Sequence, residues 1–128
     1  MNALVDTHAL LWYLGGNPKL SQKSLSFMQD RANVLFVSPA TLWEISIKDA
    51  LGKLTLPAPF GDLFPSRLDA DNILLLPILV PHLHRHRGLP AHHHDPFDRL
   101  LIAQAMEEDI LLISCDSEFA AYGVKLLW

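Results

Sequence analysis

The sequence predicts an α/β fold, a three-layer α/β/α sandwich around a mostly parallel central sheet. Short apolar runs of strand length (Asn2 to Val5, Val34 to Val37, Asn72 to Leu76 and Ile110 to Ile113) alternate with stretches whose apolar residues recur at helical spacing. Two of these runs lead directly or closely into an aspartate, Asp6 and Asp116. In open sheets of this class, functional groups collect just beyond the carboxyl ends of the strands.

Taken in order, the first strand ends at Asp6, and Ala9, Leu10, Trp12, Tyr13 and Leu14 then trace a helix that Gly15-Gly16 stops. Leu20 to Arg31 reads as an amphipathic helix beginning near Leu20 or Ser21. The β-branched and aromatic run Val34 to Val37 suits a buried strand. Ser38 can cap the next helix, Pro39 to Leu51, with Pro39 at its first position and Gly52 beyond its end. Leu56 to Pro59 is a loop, Phe60 to Ala70 a short helix, Asn72 to Leu76 a strand and Ile78 to Arg87 a helix. Gly88 to His94 reads as an irregular connection. Asp95-Pro96 opens a strong helix through Glu107, Ile110 to Ile113 is a strand, and Lys125 to Trp128 is a last edge strand.

With 128 residues, 50% of them hydrophobic, residues 1–128 are expected to form a single domain with a true core. The longest apolar run, Ile73 to Val80, is broken by Pro77 and falls well short of the ~20 residues a membrane span needs. No cationic and apolar leader precedes Asp6, so a cytoplasmic location is expected, with no membrane partner. The single cysteine, Cys115, suits a reducing compartment and is expected to line the core. A net charge of −4 excludes a protein that coats nucleic acid by bulk electrostatics alone. A divalent cation on converging carboxylates would invert that field locally.

Four acids stand where solubility does not demand them: Asp6 after the first strand, Glu44 inside an apolar helix, Asp98 early in a later helix, and Asp116 after the fourth strand. Each has a structural alternative. Asp6 can cap the helix that follows, Asp98 can favour a helix dipole, Glu44 can face water and pair with Lys48, and Asp116 can begin a turn. Asp95 reads as a cap. Their joint occurrence at strand ends and on adjoining helices points instead to one oxygen-rich centre for Mg²⁺ or Mn²⁺ and to phosphodiester chemistry.

Leu4 to Trp12, Trp43-Glu44-Ile45, His94 to Ala105 and Ser114 to Phe119, in that order along nearly the whole chain, resemble the PIN-domain family, and more narrowly the VapC-type toxins of toxin–antitoxin pairs. The resemblance implies a PIN-like sandwich and a Mg²⁺- or Mn²⁺-dependent endoribonuclease. It also implies a small antitoxin partner and a homodimer. By position it implies Asp6 and Asp98 as principal metal ligands, Glu44 as the third acid and Asp116 as the fourth, with Thr7 and Ser114 hydrogen-bonding the site. Ser114 stands where many members carry threonine, which keeps the hydroxyl.

Six histidines and two arginines, Arg85 and Arg87, fall between His82 and His94. This tract reads as a solvated loop, as an RNA- or antitoxin-contacting rim, or as metal capture by His92, His93 and His94, which three successive residues rarely achieve. Arg99 is placed to contact phosphate or pair with an acid. Trp12, Tyr13, Phe27, Phe36, Trp43, Phe60 and Phe64 read as core or interface, with Phe60 to Phe64 a candidate antitoxin groove if exposed. Two other functions fit less well. A phosphatase would want a second aspartate where His8 stands, and a non-catalytic RNA- or protein-binding module has no physical reason to keep four mutually repelling acids.

Overall fold

The computed structural model describes residues Met1–Trp128. Five parallel strands form one sheet in the order β3-β2-β1-β4-β5: β1 (Asn2–Val5), β2 (Val34–Val37), β3 (Ile73–Leu75), β4 (Leu111–Ile113) and β5 (Leu126–Leu127). The helices are α1 (Thr7–Gly15), α2 (Gln22–Gln29), α3 (Pro39–Ala50), α4 (Phe60–Leu63), α5 (Ser66–Ala70), α6 (Val80–Arg87) and α7 (Pro96–Glu107), with a 3₁₀ segment at Ser117–Tyr122. No helix is long and apolar enough to cross a membrane.

The central strand is buried on both faces, as its uninterrupted apolar run requires. Ala3 and Val5 point into a core with Leu10, Leu35, Val37, Ile45 and Leu68, while Leu4 points the other way into a second core with Leu101, Ile102, Leu112 and Phe119. The chain builds β1, β2 and β3 outward on one side, then crosses to place β4 and β5 on the other side of β1. Val5 pairs with Ile113, so the carboxyl ends of β1 and β4 lie side by side at the point where strand order reverses. Ligands of doubly wound folds bind at such a crevice.

Local signals act as the sequence predicts at several helix ends. Ser21, Ser38 and Asp95 accept backbone N–H bonds as N-caps, and Pro39 and Pro96 occupy first-turn positions. Gly16 terminates α1 with φ 63°, a left-handed conformation that glycine adopts without a side-chain clash.

Several expectations are corrected. The helix expected over Phe60 to Ala70 is broken into α4 and α5 around Phe64-Pro65, because Pro65 supplies no N–H to continue it. Leu63 and Phe64 are buried and Phe60 is half-buried, its ring edge-on to Phe64 at 5.0 Å, while Gly61 and Asp62 are exposed. Cys115 is exposed: Ser114, one residue earlier, takes the inward position at the end of β4. Trp43, expected in the core or an interface, is 64% exposed, which rules out only the core.

Candidate active site

Asp6 follows β1 directly, and its N–H donates to the Ile113 carbonyl at 3.1 Å, tying it to the end of β4. Its Oδ1 accepts the Ala9 N–H at 2.8 Å, so it does cap α1, yet the residue is only 4% exposed. Burial pushes its carboxyl above the ordinary range; the Ser114 hydroxyl, the Ala9 N–H and nearby His8 oppose that shift, while Asp116 adds to it. Capping and a place in the acidic centre are therefore compatible for this residue.

Glu44 does not face water. It is 4% exposed on the inner side of α3, where its Oε1 accepts the Thr7 hydroxyl at 2.8 Å and its Oε2 accepts Lys48 Nζ at 2.8 Å. The i+4 pairing legible in the sequence is thus present, but at a buried site. The Lys48 ammonium is held above its ordinary pKa chiefly by this hydrogen bond, with Asp95 and Asp98 contributing charge. Thr7 also reaches Thr41 at 3.3 Å, which joins α1 to α3.

Asp98 lies in the first turn of α7, below the Asp95 cap that accepts the N–H groups of Phe97 and Asp98. Its carboxyl is pushed up to about 7, first by burial and then by Asp95, Glu44 and Asp6, with His93 opposing. Asp116 begins the 3₁₀ segment: its Oδ1 accepts the Glu118 N–H at 2.9 Å, and its own N–H donates to Ser114 Oγ at 3.1 Å. Asp95, Glu44 and Asp6 thus act on Asp98, and Asp116 acts on Asp6, which links the acids electrostatically at the carboxyl edge of β1 and β4. A surface concavity of about 500 Å³, lined by Tyr13, Asp30, Arg31 and Asn72, lies toward the opposite, amino end of β2 and shares none of these residues.

His93 is the residue whose place local pattern did not reveal. Its Nε2 lies 3.2 Å from Asp116 Oδ2, 3.4 Å from Asp98 Oδ2 and 3.6 Å from Glu118 Oε2. His93, Asp98 and Asp116 each offer one atom within 4.8 Å of the others, a spacing compatible with one small cation. The neighbouring histidines diverge. His92 is exposed and meets the Tyr122 ring edge-on at 5.2 Å, and His94 is exposed, so the three rings do not converge on one ion. His82 is buried in α6, bonded to the Leu79 N–H and to Glu108.

Arg99 does not pair with an acid. Its guanidinium bonds the Leu89, Pro90 and His93 carbonyls and the Tyr122 hydroxyl, and so staples the 88–94 connection to α7. Arg85 pairs with Glu107 at 2.6 Å, while Arg87 is exposed. Trp43 and Phe97, the chain neighbours of Glu44 and Asp98, meet edge-on at 5.3 Å and join α3 to α7 beside the acids.

The carboxylate oxygens gathered around Asp98, only partly offset by His93 and Lys48, are of the chemical type that a hard divalent cation prefers.

Comparison with solved structures returns the same fold. VapBC2 from Rickettsia felis, bound to a DNA fragment from its promoter, aligns with TM-score 0.74 at 13% identity over 99% of this chain and 98% of that one. FitAcB from Neisseria gonorrhoeae aligns with TM-score 0.64 at 17% identity over 98% and 96%. A toxin–antitoxin complex from Klebsiella pneumoniae aligns with TM-score 0.67 at 16% identity over 98% and 96%. No curated protein matches the sequence. The family model for the PIN domain matches residues 3–125, nearly the whole length, and the chain belongs to the PIN domain family.

Proposed function

We propose that this protein is a Mg²⁺- or Mn²⁺-dependent endoribonuclease, the toxin of a toxin–antitoxin pair, which acts as a homodimer in the cytoplasm and is held in check by a cognate antitoxin. The observation that carries the reading is the gathering of Asp6, Glu44, Asp98 and Asp116 at the strand-order switch point, where burial first, and then the charges of Asp95, Glu44 and Asp6, push the Asp98 carboxyl up to about 7. Membership of a family of nucleases supports the reading. So do the partners of similarly folded proteins, which occur in toxin–antitoxin complexes.

In this reading Asp6 and Asp98 are the principal metal ligands, with Glu44 and Asp116 completing the set. The divalent ion supplies Lewis acidity and charge neutralisation for phosphodiester hydrolysis. The protein's own groups hold the acids in place. Thr7 and Lys48 fix both oxygens of Glu44, and Ser114 spans Asp6 and Asp116. The exposed Arg87, His92 and His94, with Arg85 beside them, offer a rim for the RNA backbone; His93 and Arg99 serve the site from inside.

The test is to incubate antitoxin-free protein with single-stranded and structured RNAs in Mg²⁺, Mn²⁺ or EDTA, alongside Asp6→Asn and Asp98→Asn. Cleavage that needs the metal and is lost in both variants is expected. Cleavage that survives EDTA and both substitutions would overturn the assignment.

A further inference from the structure

His93 meets the acids with a defined face. Its Nδ1 accepts the backbone N–H of Asp95 at 3.1 Å, and an imidazole nitrogen that accepts a hydrogen bond bears no hydrogen of its own. The neutral ring therefore carries its hydrogen on Nε2, the atom 3.2 Å from Asp116 Oδ2 and 3.4 Å from Asp98 Oδ2. A nitrogen with a hydrogen has no free lone pair for a metal, so distance alone overstates His93 as a ligand.

We propose that His93 is a positioning residue: it stays outside the ligand set and, as an Nε2–H donor, draws the Asp98 and Asp116 carboxylates to the spacing a divalent cation needs. This rests on the metal-centre reading above. Hydrogen bonds that orient ligating carboxylates are a regular part of such centres. The surroundings keep the ring from turning over. The His93 N–H donates to Tyr122 Oη at 2.7 Å, Arg99 holds the His93 carbonyl, and the Phe119 ring lies edge-on at 5.7 Å. Asp95 couples the two halves of the arrangement, since its N–H sets the histidine tautomer while its carboxylate caps the helix that carries Asp98. Ligation through Nε2 would require the hydrogen to move to Nδ1, leaving it facing the Asp95 N–H.

Two measurements test this without any RNA. Nitrogen-15 NMR of the histidine rings, with His93 assigned from His93→Gln, is recorded in EDTA and with saturating Mg²⁺. The proposal expects His93 Nε2 to carry its hydrogen and Nδ1 to be bare in both states; loss of the Nε2 hydrogen on Mg²⁺ binding, or a hydrogen on Nδ1 without metal, overturns it. Calorimetric Mn²⁺ affinity is then compared among wild type, His93→Ala and His93→Gln, each checked for folding by circular dichroism. His93→Ala is expected to bind roughly 10- to 100-fold more weakly, the usual effect of losing an outer partner. The glutamine amide can reach the same position as a donor, so His93→Gln should stay within about threefold of wild type, whereas replacing a true ligand would not. Equal loss in both variants overturns the proposal. Wild-type Mn²⁺ binding with the expected ring state, but no cleavage of any RNA, overturns the ribonuclease reading and leaves His93's role intact.

Discussion

The Thr7 hydroxyl donates to Glu44 Oε1 at 2.8 Å, a buried bond that links the first residue of α1 to the middle of α3 and fixes one of the acids from behind. Replacing Thr7 by valine keeps the side-chain shape but leaves a buried carboxylate oxygen without that donor. The expected cost is about 1–3 kcal/mol. Thr7→Ser should recover most of it. Thermal unfolding of the three proteins in EDTA measures this, and a Thr7→Val melting point equal to wild type would show that the bond contributes nothing.

Asp98 makes the metal-free protein sensitive to pH. Its folded carboxyl titrates at about 7 against an ordinary 3.8, so between those values the folded state binds a proton that the unfolded state has released. Stability is therefore full below about pH 4 as far as this group is concerned, and falls as pH rises toward 7. Direct conversion would give about 4 kcal/mol. The side chain keeps 22% of its surface exposed and solvent screens it, so about 2 kcal/mol is the expected size. Asp98→Asn should raise the melting point in EDTA at pH 7.5 and lose that advantage at pH 4. An advantage independent of pH would contradict the assignment.

Divalent binding should reverse the same penalty. At a concentration 100 times its dissociation constant, an ion that binds only the folded state adds about 2.7 kcal/mol. For a domain of this size that corresponds to a rise of roughly 10 °C in melting temperature. Scanning calorimetry with Mn²⁺, followed by EDTA, should show the rise and its loss. Asp98→Asn should show neither.

Lys48 occupies the second oxygen of Glu44, so it places a positive charge beside the site expected to hold a cation. Lys48→Met should tighten Mn²⁺ binding several-fold, with the largest gain at low ionic strength, where electrostatic repulsion is least screened. Calorimetry at two salt concentrations measures it. Weaker Mn²⁺ binding would show that the hold of Lys48 on Glu44 outweighs the repulsion of its charge.

Arg99 supports the connection that carries His93, because one planar guanidinium bonds both Leu89 and Pro90 carbonyls as well as Tyr122. Arg99→Lys has one ammonium and no fork, so it should fail to replace the staple. Amide hydrogen exchange in residues 88–94 should accelerate about tenfold or more as local opening becomes easier. Unchanged exchange would show that the loop is held by other contacts.

Much of the fold was legible because its signals are local. Apolar runs of strand length, the Ser38-Pro39 and Asp95-Pro96 helix starts and Gly16 each act over a few residues, and they recur in the structure at or near the expected positions. The break between α4 and α5 followed from Pro65, which could have been weighed as a stop signal. The four acids were visible by their positions after strands and within apolar helices. The electrostatic links among them arise between chain segments that only the folded sheet brings together.

By itself, then, the sequence determined the alternation of strands and helices, the parallel sheet this demands, and the acids that stand at its carboxyl edge. Tertiary structure decided what lies between those acids. His93 looked like one of three equivalent loop histidines, and it is singled out because Tyr122 and Arg99, from other elements, hold its backbone while Asp95 fixes its ring. Burial of Glu44 against Thr7, and exposure of Cys115 and Trp43, were likewise decided by which face each element turns toward its neighbours. That choice depends on contacts between residues distant in the chain, which local propensity and spacing do not encode.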